Sequence, residues 1–256
     1  MAGIKLVAVS GASGLIGNAF KQNLPPDFKI VHEIKTSIID ISDINAEVEI
    51  AASKGAKDFI HLGWPASSNS ENYRVSKSNF DALEKSLVLK RACEKFNVNF
   101  IAFGSPMDLS IEVDNAYSLN KYVLRQILLD DIMNQKITWL RPFYIFNDSS
   151  WPHFLHQNEP NLITNDSPRD FIHISDVVSA IESIIRTQIR GEVDVGSQIL
   201  TKPSELCRSL GKSFYVDANF ASINRIVYFP AKLNEKMSSV WQANKTQQIL
   251  KKKNEF

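Results

Sequence analysis

SGASGLIG, residues 10–17, sets Gly11, Gly14 and Gly17 directly between an apolar run, IKLVAVS (residues 4–10), and an amphipathic one, NAFKQNL (residues 18–24). Glycines spaced this way at a strand-to-helix turn have separate tasks. One makes the tight turn, one lets the backbone approach a pyrophosphate, and one lets the helix pack close to the strand, its N-terminus facing the anion. A bare glycine triplet is a weak signal, but as the first strand-to-helix turn of an α/β chain it points to a dinucleotide. A kinase-type phosphate loop needs Lys and then Ser or Thr after its last glycine, and Asn18-Ala19 supply neither.

The rest of the chain keeps the same alternation. The helix after the glycines is stopped by Pro25 and Pro26, and FKIVHEI (28–34) and DFIHLGW (58–64) read as strands. A long helical stretch, NFDALEKSLVLKRACEKF (79–96), leads to the strand NFIAFGS (99–105). A helix carrying Tyr117 and Lys121 follows, then the apolar run ITWLRPFYIF (137–146). Strand and helix in strict alternation imply right-handed crossovers and a Rossmann-type, doubly wound parallel sheet covered on both faces. Ligands of such sheets bind at the carboxyl ends of the strands.

Composition narrows the partners. Of 256 residues, 29 are Lys or Arg and 28 Asp or Glu, so the net charge of +1 offers no field for nucleic acid or an anionic membrane surface. Cys93 and Cys207 form no CxxC pair, which fits a reducing cytoplasm. The N-terminal apolar run is interrupted by Lys5 and is too short for a signal segment. Nothing approaches the roughly 20 apolar residues of a membrane helix. The basic run at 251–253 reads as a solvated helix end. His61 and His173 lie in apolar strand patterns and read as core; His153 and His156 lack a third ligand, so no metal is expected.

Two features concern the cofactor and the chemistry. Glu33, about 20 residues beyond the glycines, suits a ribose 2′-hydroxyl and thus NAD, whereas Lys35, flanked by Thr36 and Ser37, suits a 2′-phosphate; the reading leans to NADP. In AYSLNKYV (116–123), Tyr117 and Lys121 are four apart and share one helix face. A tyrosine near pKa 10 is a slow acid until a fixed cation stabilises its phenolate.

GASGLIG, DFIHLGW, FIAFGS, YSLNK and RDFIHISDVVSAI occur in that order, and in this the chain resembles the extended short-chain dehydrogenase/reductase superfamily. The likeness is to its NAD-dependent epimerase/dehydratase, nucleotide-sugar branch, over about residues 4–200. The resemblance implies that Gly11, Ser13, Gly14, Leu15, Ile16 and Gly17 form the dinucleotide loop and that Asp40-Ile41 contact adenine. Leu62, Gly63 and Trp64 would run along the nicotinamide side, braced by Asn79, with Pro142 also beside the cofactor. Ser105, Tyr117 and Lys121 would be the catalytic set, the last two also touching the cofactor. Arg169 would reach the pyrophosphate of a nucleotide sugar, joined in substrate binding by Ser105 and by Tyr144, which stands where relatives carry asparagine. Ser175 or Asp176 reads as a cap for the helix that follows.

The same resemblance implies a dinucleotide-binding domain over 1–150, with 171–200 folding back onto it, and a small, shortened substrate lobe over 151–256. It also implies a possible homodimer through the helices near 78–96 and 115–134. Ser105 is followed by Pro106-Met107, not by the acid pair of dehydratases or the cysteine of enzymes that invert two ring carbons. Simple hydride chemistry remains, reduction of a keto group or 4-epimerisation through a transient ketone, and the resemblance implies a 4-ketoreductase of a nucleotide-diphosphate sugar in surface-polysaccharide synthesis. The alternatives are a 4-epimerase with tightly held NAD, or a dinucleotide-sensing scaffold without turnover.

Overall fold

The computed structural model describes residues 3–65, 76–109, 115–148, 161–163, 165–216 and 230–251. His153 and His156, and the basic run beyond Lys251, lie outside the described residues. Contacts divide the chain into two compact units, 1–141 with 184–193, and 142–183 with 194–256.

The first unit is built on a six-stranded sheet. Its strands are β1 (Lys5–Ser10), β2 (Phe28–Ile34), β3 (Asp58–His61), β4 (Asn99–Phe103), β5 (Thr138–Pro142) and, after three strands of the other unit, β9 (Gly191–Val195). Their order is β2-β1-β3-β4-β5-β9, and the first five pair in parallel. β3 and β5 are buried along their whole length, so neither shows the in-and-out alternation of a half-exposed strand, and Asp58, His61, Thr138 and Arg141 are buried with the apolar residues beside them. The helices α1 (Leu15–Gln22), α2 (Ile44–Ser53), α3 (Ser76–Lys95) and α4 (Ala116–Ile127) cross between strands. INAEVEIAAS alternates apolar and polar residues as a strand would, yet folds as α2: Ile44, Val48 and Ala51 fall on one buried face while Ile50 is exposed. Phe59, Phe100 and Trp139 fill the core with the α2 residues and Leu89.

Two apolar runs are shorter as strands than they look. In DFIHLGW the sheet ends at His61, and Trp64 donates its amide to the Leu62 carbonyl at 3.0 Å, so Leu62, Gly63 and Trp64 form a tight turn. ITWLRPFYIF contains two strands: β5 ends at Pro142, which has no N–H for the ladder, and β6 (Tyr144–Phe146) joins a different sheet.

The second unit holds β6, β7 (Asn161–Ile163), β8 (Arg169–His173), β10 (Leu200–Thr201) and β11 (Phe214–Val216), arranged as β10-β8-β6 and β11-β7. Phe146, Phe171, Leu206, Ile249 and Leu250 form its core. Helix α5 (Leu129–Met133) belongs to the first unit, and α6 (Ile174–Thr187) runs from the second unit into the first. In the second unit follow α7 (Pro203–Ser209), α8 (Glu235–Ser238) and α9 (Asn244–Lys251). Asp176 does not cap α6, inside which it lies; its carboxylate accepts from the amides of Lys245 (3.0 Å) and Thr246 (2.7 Å) and so caps α9. Ser175 likewise lies within α6, its hydroxyl 2.7 Å from His173 Nδ1. No helix among the described residues is long and apolar enough to cross a membrane.

Candidate functional site

The glycines after β1 divide their work as the spacing demands. Gly11 is left-handed, φ +73°, and a Cβ there would stand 2.6 Å from the amide nitrogen of Gly63. A Cβ on Gly17 would reach within 2.6 Å of Ala12 Cα, so helix and turn are in backbone contact. Gly14 is the N-cap of α1, extended (φ −75°, ψ 176°) and without a side-chain cap, its amide donating to Gly11 O at 3.0 Å. The first-turn amides of α1, with Ser13, Gly14 and Leu15 exposed around them, suit a diphosphate. Ile16 is half-buried, and the Ser13 carbonyl accepts from Asn18 Nδ2 at 2.9 Å.

Near the end of β2, Glu33 is exposed and pairs with Lys21 at 2.8 Å. Lys35 and Ser37 are exposed, but Thr36 is buried with its hydroxyl against Gly63, so only one of the two neighbouring hydroxyls is open to a ligand. Asp40 and Ile41 are exposed at the start of a 3-10 turn, Ile41–Asp43.

Near the ends of β3 and β4, Trp64, Asn79, Tyr117 and Lys121 come together. Lys121 is 4 % exposed; its Nζ donates to the Phe103 carbonyl at 2.6 Å and lies 3.9 Å from the centre of the Trp64 ring. Burial pushes its pKa down from 10.5 to about 7, and the negative charge of Asp108 opposes that. Tyr117 is half-buried one turn earlier, its ring 6.0 Å from Lys121 Nζ and edge-on to Trp64 at 6.4 Å. Asn79, fully buried on α3, accepts from Trp64 Nε1 at 2.9 Å and fixes the indole plane. Ser105 Oγ accepts from the Met107 amide at 3.3 Å, which caps a 3-10 turn, Pro106–Leu109, and leaves the hydroxyl proton to be donated. Pro142 is buried at the end of β5.

Two features had no sequence signal strong enough to mark them. His61 spans two hydroxyls, Nδ1 to Ser10 Oγ at 2.6 Å and Nε2 to Ser86 Oγ at 2.8 Å, and burial drives its pKa down to about 3. Ser86 donates to the Ala82 carbonyl, so it accepts from Nε2–H, and the neutral ring receives the Ser10 proton. Ser10 Oγ in turn accepts from the Gly63 amide at 3.4 Å, tying the strap beside Gly11 to the core. The second is Asp108. It is fully buried and accepts from the Ser105 amide (2.9 Å), Trp139 Nε1 (3.1 Å) and Arg141 Nε (2.8 Å).

In the second unit, Arg169 is 3 % exposed, its guanidinium 5.3 Å from the centre of the Tyr144 ring and NH1 3.2 Å from the Asn165 carbonyl. Asp170 and Asp166 are engaged elsewhere: Asp170 accepts from Ser197, Gln198 and Ala231, and Asp166 from Ser204.

No protein-family model and no curated protein sequence matches the chain. Solved structures match its fold end to end. The NADP complex of dTDP-4-dehydrorhamnose reductase from Bacillus anthracis gives a TM-score of 0.72 at 13% identity over 100% of both chains. UDP-N-acetylglucosamine 4-epimerase from Methanobrevibacter ruminantium, in complex with UDP-N-acetylmuramic acid, gives 0.68 at 18% identity over 99% of this chain and 98% of that one. UDP-glucose 4-epimerase from Bifidobacterium longum with NAD+ and UDP gives 0.67 at 14% identity over 98% of each. At these identities the likeness establishes the fold alone, a Rossmann-like sheet with flanking helices shared with that reductase and the two 4-epimerases.

Proposed function

We propose that a chain with this fold is an NAD(P)-dependent oxidoreductase, and within that class a 4-ketoreductase of a nucleotide-diphosphate sugar. The observation that carries the reading is Lys121, a buried ammonium whose described Nζ contacts are a carbonyl and an indole face, one helical turn from Tyr117. Burying an ammonium is expensive, and sites that tolerate it are functional candidates.

A nicotinamide dinucleotide, when bound, would supply hydride for the ketone carbon. Tyr117 gives its phenolic proton to the carbonyl oxygen as that charge develops. Lys121 stabilises the resulting phenolate, and its position at the strand ends suits the nicotinamide ribose as well. Ser105 donates its hydroxyl proton as a hydrogen bond to the same oxygen. Gly11, Gly14 and Gly17 would hold the pyrophosphate of the dinucleotide by backbone, and Trp64, braced by Asn79, lays its indole face against the ammonium. Lys35 and Ser37, exposed while Glu33 is occupied by Lys21, favour NADP over NAD. Arg169, its guanidinium plane set by Tyr144, takes the diphosphate of the sugar nucleotide.

The test is Tyr117→Phe. With a dTDP- or UDP-4-keto sugar and NADPH, turnover falls at least about hundredfold, the lower end of what a positioned acid contributes, while NADPH affinity is kept. Turnover unchanged in that variant rejects Tyr117 as the acid. An epimerase would instead be purified with its dinucleotide bound and return it unchanged.

A further inference from the structure

We propose that Asp108 is a positioning residue, its buried carboxylate fixing the Ser105 turn and tying it, through two arginines and a glutamate, to the helix that carries Tyr117 and Lys121. The inference rests on the reading of Ser105 as a donor to the substrate carbonyl. One carboxylate oxygen, Oδ2, accepts from the Ser105 amide and from Trp139 Nε1, and the other accepts from Arg141 Nε. The turn is packed directly onto that group: a side chain at Gly104 would come within 2.5 Å of Asp108 Oδ2. Arg141 also donates to Glu192, which receives Arg125 Nε at 2.9 Å and NH2 at 3.2 Å. Arg125 lies one turn beyond Lys121 on α4, and its Nε is 3.9 Å from Asp108 Oδ1. Two carboxylates and two guanidinium groups therefore link the Ser105 turn, β5, β9 and α4 in one cluster. An apolar core of the same volume is often at least as stable as such a cluster. What the charges add is geometry, because the carboxylate accepts from fixed donors on the Ser105 turn and on β5, with Arg125 of α4 paired to it at longer range.

Asn at this position cannot reproduce the arrangement. Its single oxygen satisfies either the Ser105 and Trp139 donors or Arg141, and its amide NH2 then meets a donor on the other side. Removing Arg141 at the same time frees the amide to turn its oxygen towards Ser105, and the remaining Arg125–Glu192 pair keeps the cluster neutral. The experiment compares wild type, Asp108→Asn and Asp108→Asn with Arg141→Met. It reads hydrogen exchange over residues 104–109, the shift in melting temperature with NADPH, and turnover of the keto sugar. Asp108→Asn should exchange Ser105 at least about tenfold faster, and lose about ten- to hundredfold in turnover, as misplaced reacting groups do, with the NADPH affinity within about twofold. The double variant should recover both. If Asp108→Asn does not fold, the double variant decides alone: wild-type protection of Ser105 supports the proposal, and lost protection overturns it. Unchanged exchange in Asp108→Asn, or a double variant as impaired as the single one, also overturns it. A wild type inactive on every keto sugar would reject the parent reading, while the exchange result still decides the role of Asp108.

Discussion

The turn after β1 and the turn after β4 stand at the same edge of one sheet and are made in opposite ways. The first is made by leaving side chains out: Gly11 and Gly17 bring backbone against backbone, and α1 keeps an uncapped N-terminus. The second is made by burying charge: Ser105 is held by Asp108, which is held by Arg141, Trp139 and, at longer range, Arg125. A bare turn can accept an anion whose recognition is mostly backbone and dipole. A turn fixed by charged side chains can aim one hydroxyl at one reacting atom.

The contrast is broken most severely at Gly11. Valine there must take φ +73°, at about 1–3 kcal/mol of backbone strain, and must push its Cβ into the Gly63 backbone, which has no room to yield. Gly11→Val should lose the NADPH-induced rise in melting temperature altogether; a variant that keeps the rise would show that the turn does not hold the dinucleotide.

A smaller change sharpens the other turn. Lys121 has its pKa depressed from 10.5 to about 7 by burial, so its ammonium is present below that pH and is lost as pH rises through it. Besides Tyr117 on its own helix, the titratable groups facing Lys121 are His61 on β3, held neutral, and Asp108 after β4. The proposed ketone reduction would need the ammonium, so turnover should fall as pH rises past neutrality. The Trp64 face supports the charged form, and a cation–π contact is worth about 0.5–2 kcal/mol. Trp64→Leu should therefore move that alkaline limb down by about half a unit to one unit, since one unit is about 1.4 kcal/mol. A limb that stays in place removes Trp64 from the account.

These differences explain what could be read from the chain. The glycine turn is local, and its spacing between a strand and a helix is visible in eight residues; β2, Phe28–Ile34, coincides with the apolar run FKIVHEI. Tyr117 and Lys121 are legible because a helix fixes which residues share a face. Asp108 carries no local pattern, and its partners Trp139 and Arg141 lie 31 and 33 residues away. The burial of Thr36 behind Gly63 and the use of Asp176 to cap α9 are likewise decided by packing between distant segments. ITWLRPFYIF looks continuous because the two strands it contains are both apolar, although they serve different sheets.

The proposed function requires this chain to bind a nicotinamide dinucleotide and a nucleotide-linked ketone. The most direct measurement is the melting temperature of wild type and Arg169→Ala with NADPH or NADH, then with UDP, dTDP, GDP or CDP added. A ligand at a hundred times its Kd adds about 2.7 kcal/mol, which for a chain of this size is a rise of about 5 °C or more. The proposed function requires that rise with NADPH, a further rise with one nucleoside diphosphate, and loss of only the second in Arg169→Ala. A melting temperature that neither dinucleotide moves would contradict it.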